Sequence, residues 1–171
     1  MSLILLLGGA RSGKSEMAEA MAAAEGARLG AGVTYIAGAA ESVGDPDWSA
    51  RIEQHRQRRP LDWRTIEASD DLTVALSDEE LARRVVLMDS LGSWLARRAD
   101  FAWDRSVVEA LARRPGPTFV VSEEVGMGVH PSTPAGRAFR DALGRLNTEV
   151  ARVADSAYLV VAGRRLTLEL P

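Results

Sequence analysis

Gly8-Gly9-Ala10-Arg11-Ser12-Gly13-Lys14-Ser15 is the stretch of this sequence that decides its fold. It matches the pattern G-x-x-x-x-G-K-[ST], in which glycines let the backbone curl so that successive N–H groups point at phosphate oxygens. The apolar run Leu3–Leu7 precedes it and the helical pattern Ser15–Ala24 follows it, which is the strand–loop–helix context that a phosphate-binding loop (P-loop) requires. We therefore expect Lys14 to reach the β and γ phosphates of a nucleoside triphosphate and the Ser15 hydroxyl to bind Mg²⁺.

The rest of the chain alternates short apolar runs with longer amphipathic segments, which is typical of an α/β fold with a mostly parallel sheet. The predicted strands are Leu3–Leu7, Val33–Ala37, Trp63–Ile66, Val85–Met88, Thr118–Ser122, Ala157–Ala162 and Leu166–Leu170. The predicted helices are Ser15–Ala24, Pro46–Arg58, Leu91–Arg98, Trp103–Arg113 and Ala135–Val153. The last two strands are too close for a crossover helix, so we expect an antiparallel hairpin at one edge of the sheet. The glycine-rich stretches Gly26–Gly32 and Gly126–Pro134 are predicted to be loops, and residues 1–171 a single domain.

The composition excludes several kinds of chemistry. The chain has no cysteine, two histidines and one lysine, Lys14, among 21 basic residues, so thiolate sites and a three-histidine metal centre are impossible. A net charge of −3 and a pI near 5.5 argue against nucleic acid as a partner. The opening apolar run is shorter than the roughly 20 residues of a membrane span, and no positive residue precedes it as in a secretory signal. We therefore expect a cytoplasmic protein with no membrane span.

Acidic residues follow two of the predicted strands. Asp89 comes directly after Val85–Met88, and we predict it to be the second Mg²⁺ ligand beside Ser15. The pair Glu123-Glu124 follows Thr118–Ser122, where one carboxylate would activate a hydroxyl or orient water. Of the two, Glu124 is our candidate for the base.

His55 lies among four arginines in the segment Arg51–Arg59. One interpretation is a cationic, solvent-facing helix end whose basic residues suit the helix dipole. The other is a nucleophile, because a neutral imidazole attacks phosphorus near pH 7 and the arginines would both keep it neutral and bind phosphates. Its attack on an α-phosphate would give a nucleotidyl-histidine and release pyrophosphate. His130 has no such neighbours and is expected to be structural or incidental.

The order of several short segments resembles a known family. The P-loop is followed by Tyr35-Ile36-Ala37, Arg51-Ile52, His55-x-x-x-Arg59-Pro60, Trp63-Arg64-Thr65, Glu124-Val125-Gly126-Met127-Gly128, Phe139-Arg140-Asp141, Gly144-x-x-Asn147 and Leu159-Val160-Val161. Over residues 3–168 this order resembles the bifunctional adenosylcobinamide kinase / adenosylcobinamide-phosphate guanylyltransferase family. The resemblance implies a RecA-like P-loop fold, a homotrimer, and a role in assembling the nucleotide loop of cobalamin.

Two reactions are implied by the resemblance. ATP or GTP phosphorylates the aminopropanol hydroxyl of adenosylcobinamide; GTP then guanylylates a histidine, and the GMP passes to adenosylcobinamide phosphate to give adenosylcobinamide-GDP. The family's modified histidine falls on His55. The P-loop motif itself predicts nucleotide contacts at Gly8, Gly9, Ala10, Arg11, Ser12, Gly13, Lys14 and Ser15. The resemblance implies further contacts at Gly38, Ala39, Ala40, Arg56, Gln57, Arg58, Arg59, Glu67 and Asp89.

The chain departs from the family pattern at several positions. Gly38 stands where threonine is usual, and Asp89-Ser90-Leu91-Gly92 replaces Asp-Cys-Leu-Thr. Arg97 stands at the position of a downstream asparagine, Glu123 replaces an asparagine, and Thr148 replaces a glutamine. Several of these changes fall near the expected acceptor side, so they bear on whether the kinase half is retained.

Three alternative functions remain open. The first alternative is a family member with guanylyltransferase activity only. The second is another P-loop kinase that acts on a small molecule, and the third is a non-catalytic RecA-like binding module gated by nucleotide. The Asn-Lys-x-Asp element of small GTPases is absent, because the only lysine is Lys14. The acidic balance and the lack of alternating aromatic and basic residues argue against a DNA-associated module.

Overall fold

A seven-stranded sheet forms the centre of the molecule in the computed structural model, which describes residues 2–38, 53, 56–68 and 71–170. The strands are β1 (Leu3–Gly8), β2 (Val33–Ala37), β3 (Arg64–Glu67), β4 (Val85–Asp89), β5 (Thr118–Glu123), β6 (Ser156–Val161) and β7 (Arg164–Leu168). Their order across the sheet is β3-β2-β4-β5-β1-β6-β7. All neighbouring pairs in this sheet are parallel except β6 and β7.

Helices cover both faces of the sheet. They are α1 (Lys14–Leu29), α2 (Leu72–Leu76), α3 (Leu91–Ala96), α4 (Arg105–Arg113) and α5 (Pro134–Val153), with short 3₁₀ turns at Glu79–Leu81 and Ala99–Phe101. Successive strand residues point to opposite faces. Leu6 of β1 therefore packs with α1 on one face, whereas Leu5 and Leu7 pack with α2 to α5 on the other. No helix among the described residues is long and apolar enough to cross a bilayer.

The strands agree with the sequence-based predictions to within two residues, and the predicted edge hairpin is confirmed. Its turn is shorter than expected, because Ala162 and Gly163 alone make it with φ values of 51° and 72°. Two positive φ values match a two-residue hairpin turn whose twist fits that of the strands. The last strand consequently begins at Arg164, two residues before the predicted start.

Two helix predictions need correction. The stretch Gly26–Gly32 is not all loop, because α1 continues through Gly26 to Leu29 and ends at Gly30 with φ 62°. Gly26 is buried in the helix, where a Cβ would lie 3.0 Å from the Val33 side chain. The helix predicted from Trp103 begins at Arg105 instead, since the Asp104 carboxylate caps it by accepting a hydrogen bond from the Ser106 N–H at 2.8 Å.

The other helix predictions agree with the structure where it can be compared. The loop Gly126–Pro134 is confirmed up to Thr133, and Pro134 is the first residue of α5, where its missing N–H costs nothing. Most of the predicted helix Pro46–Arg58 lies outside the described residues, of which 53 and 56–58 have helical backbone. The short helix α2 and the two 3₁₀ turns were not predicted.

Candidate functional site

The carboxyl ends of the parallel strands meet at one edge of the sheet and open into a pocket. Gly8 at the end of β1 is in register with Glu123 of β5, and Ala37 of β2 with Asp89 of β4 and Glu67 of β3. In open parallel sheets this edge is where ligands bind. The pocket is lined by Ala10, Lys14, Ser15, Tyr35, Ala37, Arg56, Arg59, Thr65, Glu67, Asp89, Ser90, Gly92, Ser93, Ala96, Glu123 and Phe139.

The P-loop is held in shape by glycines and by the edge hairpin. A Cβ on Gly8 would lie 2.5 Å from the Ser12 Oγ and 2.7 Å from the Val160 carbonyl oxygen, so no larger residue fits there. Gly13 has a φ of 91°, in the left-handed region that glycine enters without strain. The Gly163 N–H of the hairpin donates a hydrogen bond to the Ser12 carbonyl at 2.8 Å. The loop and the sheet edge are therefore one connected unit.

Lys14 begins α1 and is almost completely buried. Its side chain is 4% exposed, and its Nζ donates to the Gly9 carbonyl at 3.4 Å and lies 3.9 Å from the Glu123 Oε1. No side chain caps the helix at Gly13, and the first N–H groups of a helix have no partners within it. These donors, the helix dipole and the ammonium group all favour an anion at this end of α1.

Ser15 and Asp89 both line the pocket beside Lys14. Mg²⁺ prefers oxygen ligands and commonly takes one or two from the protein, with phosphate oxygens and water completing its shell. A hydroxyl and a carboxylate fit that preference. Among the described residues, no cluster of three or more His, Asp, Glu or Cys side chains could by itself hold a metal ion.

Asp89 is oriented by Tyr35. The buried Tyr35 hydroxyl donates to the Asp89 Oδ2 at 3.0 Å, and the Arg59 guanidinium lies 3.5 Å above the centre of the tyrosine ring. Burial, followed by the nearby Asp89 charge, raises the pKa of Tyr35 well above its usual value. Tyr35 therefore stays protonated and keeps Asp89 as its acceptor.

The structure divides the predicted contacts at residues 56–59 into two pairs. Arg56 and Arg59 line the pocket. Arg58 instead pairs with the Glu16 carboxylate of α1 at 2.7 Å, and Gln57 makes an exposed hydrogen bond to a glutamate of its own segment at 2.9 Å. The ion pair of Arg58 fixes this segment against the helix that carries the P-loop.

Gly38 has a steric reason to be glycine. Its N–H donates to the Asp89 carbonyl at 2.9 Å, which draws the end of β2 against the segment after β4. A Cβ on Gly38 would overlap the Ser90 carbonyl oxygen and lie 2.8 Å from the Ser90 nitrogen. Glycine at this position therefore allows the close approach of the two backbones.

Three predicted site residues, His55, Ala39 and Ala40, lie outside the described residues. Arg56, the neighbour of His55, lines the pocket. His130 is exposed, and its Nδ1 lies 3.0 Å from an Arg140 guanidinium nitrogen; neither residue is among those that line the pocket.

The carboxylate at the end of β5 that lines the pocket is Glu123, whereas our candidate base was Glu124. The Glu124 Oε1 accepts a hydrogen bond from the Gly126 N–H at 2.6 Å and so folds onto its own loop. The strand extends one residue further than predicted, and Glu123 is its last residue. Because side chains alternate along a strand, a one-residue difference decides which carboxylate faces the pocket.

Hydrogen bonds from two neighbouring residues hold Glu123. The Ser90 hydroxyl donates to its carboxylate, with distances of 2.8 and 3.0 Å to the two oxygens. The Asn147 side chain of α5 donates to the Glu123 backbone carbonyl at 3.0 Å. Burial raises the pKa of Glu123, and the nearby Asp89 also raises it, while Lys14 and the Ser90 hydrogen bond act in the opposite direction.

Tyr35, Thr65 and Phe139 line the pocket and were not predicted as site residues. Tyr35 and Thr65 lie two residues before Ala37 and Glu67, and residues i and i+2 of a strand share a face. Strand alternation from the predicted contact Glu67 could therefore have identified Thr65, whereas Ala37 was not a predicted contact from which Tyr35 could be found. Phe139 lies on α5, and its position depends on the packing of that helix, which no local signal reveals.

Comparison with known proteins gives matches over nearly the whole chain. A family model described as cobinamide kinase / cobinamide phosphate guanyltransferase matches residues 4–168. The chain is 38% identical to the bifunctional adenosylcobalamin biosynthesis protein CobP of Pseudomonas aeruginosa, with 96% of each protein covered. It is 34% and 31% identical to the bifunctional adenosylcobalamin biosynthesis proteins CobU of Escherichia coli K12 and Salmonella typhimurium, covering 94% of this chain and 96% of each relative.

Solved structures support the fold independently. The chain matches the flagellar accessory protein FlaH of Methanocaldococcus jannaschii with a TM-score of 0.55 and 11% identity, over 96% of this chain and 74% of FlaH. It matches the KaiC-like protein PH0186 of Pyrococcus horikoshii with a TM-score of 0.54 and 13% identity, over 92% and 70%. At such identities the similarity concerns the fold alone, and it confirms the RecA-like P-loop fold.

Proposed function

The chain belongs to the cobinamide kinase / cobinamide phosphate guanyltransferase family, and we propose that the pocket and His55 carry out its two reactions. It is a bifunctional transferase of cobalamin biosynthesis. The kinase reaction phosphorylates adenosylcobinamide with a nucleoside triphosphate, and the guanylyltransferase reaction converts the product to adenosylcobinamide-GDP. What remains to be assigned is which residues act in each step.

The kinase assignment depends on one observation: Lys14, Ser15 and Asp89 line one pocket at the start of a helix that has no side-chain cap. We place the triphosphate of ATP or GTP along the P-loop, where Lys14 stabilises the charge that develops on the transferred phosphoryl group. Mg²⁺ bound by Ser15 and Asp89 would neutralise the β and γ oxygens. The acceptor oxygen forms a bond to the γ-phosphorus, the bond to the β-phosphate oxygen breaks, and the nucleoside diphosphate leaves.

We assign the guanylyl transfer to His55. An imidazole nitrogen attacks the α-phosphorus of GTP and pyrophosphate leaves; a phosphate oxygen of adenosylcobinamide phosphate then attacks the same phosphorus and the P–N bond breaks. Two contacts support this assignment. Arg56, the next residue, lines the pocket, and Arg58 ties the same segment to α1, which begins at the P-loop.

Labelled GTP tests this assignment. Incubation with α-labelled GTP and Mg²⁺ should give an acid-labile, base-stable protein adduct that His55→Ala abolishes. His130→Ala is the matched control, since His130 is exposed and neither it nor its contact Arg140 is among the residues that line the pocket. An adduct that survives His55→Ala, or that disappears in His130→Ala, contradicts the assignment. Transfer of label from γ-labelled ATP or GTP to adenosylcobinamide measures the kinase reaction separately.

We also propose that residues 1–171 form one domain that acts as a cytoplasmic homotrimer, with the family resemblance supporting the trimer. Sedimentation equilibrium should then give a mass about three times the 18.4 kDa of the chain. A mass equal to that of one chain contradicts the trimer and leaves the two reactions unaffected.

A further inference from the structure

Glu123 lies beside the P-loop lysine and therefore close to the expected position of the γ-phosphate. Its Oε1 lies 3.9 Å from the Lys14 Nζ, and the lysine of a P-loop contacts the β and γ phosphates. Its strand, β5, is also the direct neighbour of β1, from which the P-loop leaves. An acceptor hydroxyl that attacks the γ-phosphorus therefore comes within reach of Glu123.

The other two carboxylates at this edge are less suited to contact the acceptor. Strands lie about 4.8 Å apart. Glu67 ends β3, four strand positions from β1, which is about 19 Å. Asp89 ends β4, two positions from β1; it accepts the Tyr35 hydroxyl and is our proposed Mg²⁺ ligand. Glu123 is the one of the three that is both adjacent to the P-loop and without a metal-binding assignment.

The chain also makes room for this carboxylate. Gly92 lies in the first turn of α3 directly against it, and a Cβ on Gly92 would overlap the Glu123 Oε2 and lie 3.0 Å from its Cδ. On the other side the Ser90 hydroxyl donates to the carboxylate. The Ser93 N–H donates to that same Ser90 oxygen at 3.2 Å, so the start of α3 fixes the hydroxyl. A glycine and an oriented hydroxyl thus hold Glu123 in one position.

We propose that Glu123 is the general base of the kinase reaction, an inference that rests on the function proposed above. The acceptor O–H gives its proton to a Glu123 carboxylate oxygen while the acceptor oxygen bonds to the γ-phosphorus. The electron pair of the broken P–O bond leaves with the nucleoside diphosphate. The Glu123 side chain is 28% exposed, which lets it return the proton to water after the product leaves.

The electrostatic surroundings of Glu123 suit this role. Burial raises its pKa, which brings the carboxylate closer to the working pH and makes it a stronger base. The charged groups facing it are Lys14 from α1, which favours the ionised form, and Asp89 from β4, which disfavours it. The Ser90 hydroxyl hydrogen bond favours the ionised form as well. Nucleotide phosphates will add negative charge near Lys14 and raise the pKa further.

The test compares Glu123→Gln with the wild type in two assays on the same preparation. We expect kcat for adenosylcobinamide phosphorylation to fall about 10²- to 10⁴-fold, with the nucleotide KM changing little, because a positioned base contributes about that factor. The remaining phosphorylation rate of the variant should no longer fall at low pH as the wild-type rate does. Formation of the GMP–protein adduct should persist. Glu109→Gln is the matched control, since Glu109 lies on α4, where it pairs with Arg105 and Arg113 at the surface, and is not among the residues that line the pocket.

A second variant moves the carboxylate without removing it. Gly92→Ala should push Glu123 aside and lower kcat for phosphorylation, and combining it with Glu123→Gln should add little further loss, because both changes act on one group. Gly144→Ala on α5 is its control, since a Cβ there meets no atom within 4 Å.

Three results would overturn the assignment. The first is a Glu123→Gln variant that phosphorylates within about tenfold of the wild type, below the range of general-base catalysis. The second is equal loss of phosphorylation and adduct formation, which would place Glu123 in general nucleotide binding. The third is loss in Glu124→Gln instead. A wild type that forms the adduct and never phosphorylates adenosylcobinamide would refute the proposed kinase function itself, before any variant is measured.

Discussion

Asn147 is a buried polar residue that ties α5 to the end of β5. Its side chain is 5% exposed; its Oδ1 accepts the Ser122 hydroxyl at 2.6 Å and its Nδ2 donates to the Glu123 carbonyl at 3.0 Å. The Ser122 side chain is itself fully buried, so no water replaces the lost partner. Asn147→Ala should therefore destabilise the fold and loosen the strand end that carries Glu123.

The magnitude follows from the two hydrogen bonds. The bond to the Glu123 carbonyl contributes a net of about 1 kcal/mol, and leaving the buried Ser122 hydroxyl without its acceptor costs about 1–3 kcal/mol. Together these give a loss of about 2–4 kcal/mol in the free energy of unfolding. For a chain of this size each kcal/mol lowers Tm by about 2–4 °C, so the expected decrease is about 4–16 °C.

Urea denaturation of a double-mutant cycle measures this effect. Ser122→Ala and Asn147→Ala should show a coupling energy above about 1 kcal/mol, since they share one hydrogen bond. Thr148→Ala is the control: Thr148 is exposed, its hydroxyl bonds only to a carbonyl of its own helix, and we expect a change within about 0.5 kcal/mol. Additive single effects, or an Asn147→Ala loss no larger than that of Thr148→Ala, would refute the structural role of this residue.

Three further perturbations test the site. Gly38→Thr should cost about 1–3 kcal/mol of unfolding free energy in urea, because its Cβ overlaps Ser90 backbone atoms that have no freedom to rotate away; an unchanged midpoint contradicts this. Gly163 has a φ of 72° and its N–H bonds to the Ser12 carbonyl, so Gly163→Ala should lower the free energy of unfolding by about 1 kcal/mol. It should also weaken triphosphate binding measured by calorimetry, and an unchanged affinity contradicts the coupling of hairpin and P-loop. Because burial raises the pKa of Glu123 in the folded chain, its carboxyl lowers stability as pH rises from the unfolded pKa to the folded one. Glu123→Gln should therefore gain stability relative to the wild type between pH 4 and pH 7, and an equal difference at both pH values contradicts the shift.

The sequence predicts the frame of this fold because its strands are short apolar runs buried on both faces, a pattern that is local. The prediction of helix and strand bounds fails where a contact with residues distant in the sequence determines the backbone conformation. The glycine-rich stretch predicts a loop from Gly26, whereas in the structure Gly26 lies inside α1, where a Cβ would come within 3.0 Å of the Val33 side chain. Ala162 has a positive φ, which the sequence does not predict for an alanine. The turn is therefore shorter than expected, and β7 begins two residues before its predicted start.

The site shows the same division between local and distant causes. Lys14, Ser15 and Asp89 can be predicted as site residues because a P-loop and a strand end are local features, and in the structure all three line one pocket. The choice of Glu124 over Glu123 was not supported by the structure, because the sequence does not fix the last residue of a strand and a one-residue difference reverses the side chain. The space for Glu123 comes from Gly92, which lies 31 positions away in the chain and is adjacent only in the folded protein.

The pocket carries several carboxylates where a triphosphate is proposed to bind, and Lys14 offsets part of their negative charge. Glu67, Asp89 and Glu123 end three strands at the edge where a triphosphate is to bind, in a chain whose net charge is −3. In water, a single ammonium group would offset little of the repulsion between these carboxylates and the phosphates. Lys14, however, is nearly fully buried at a helix N-terminus, where charges are weakly screened and the helix dipole adds positive potential. Its point-like charge fits beside the Gly9 carbonyl and the Glu123 carboxylate, whereas the wide planar guanidinium of arginine would need several fixed partners there. A chain that uses arginine at every other basic position therefore has a physical reason to keep lysine at this one.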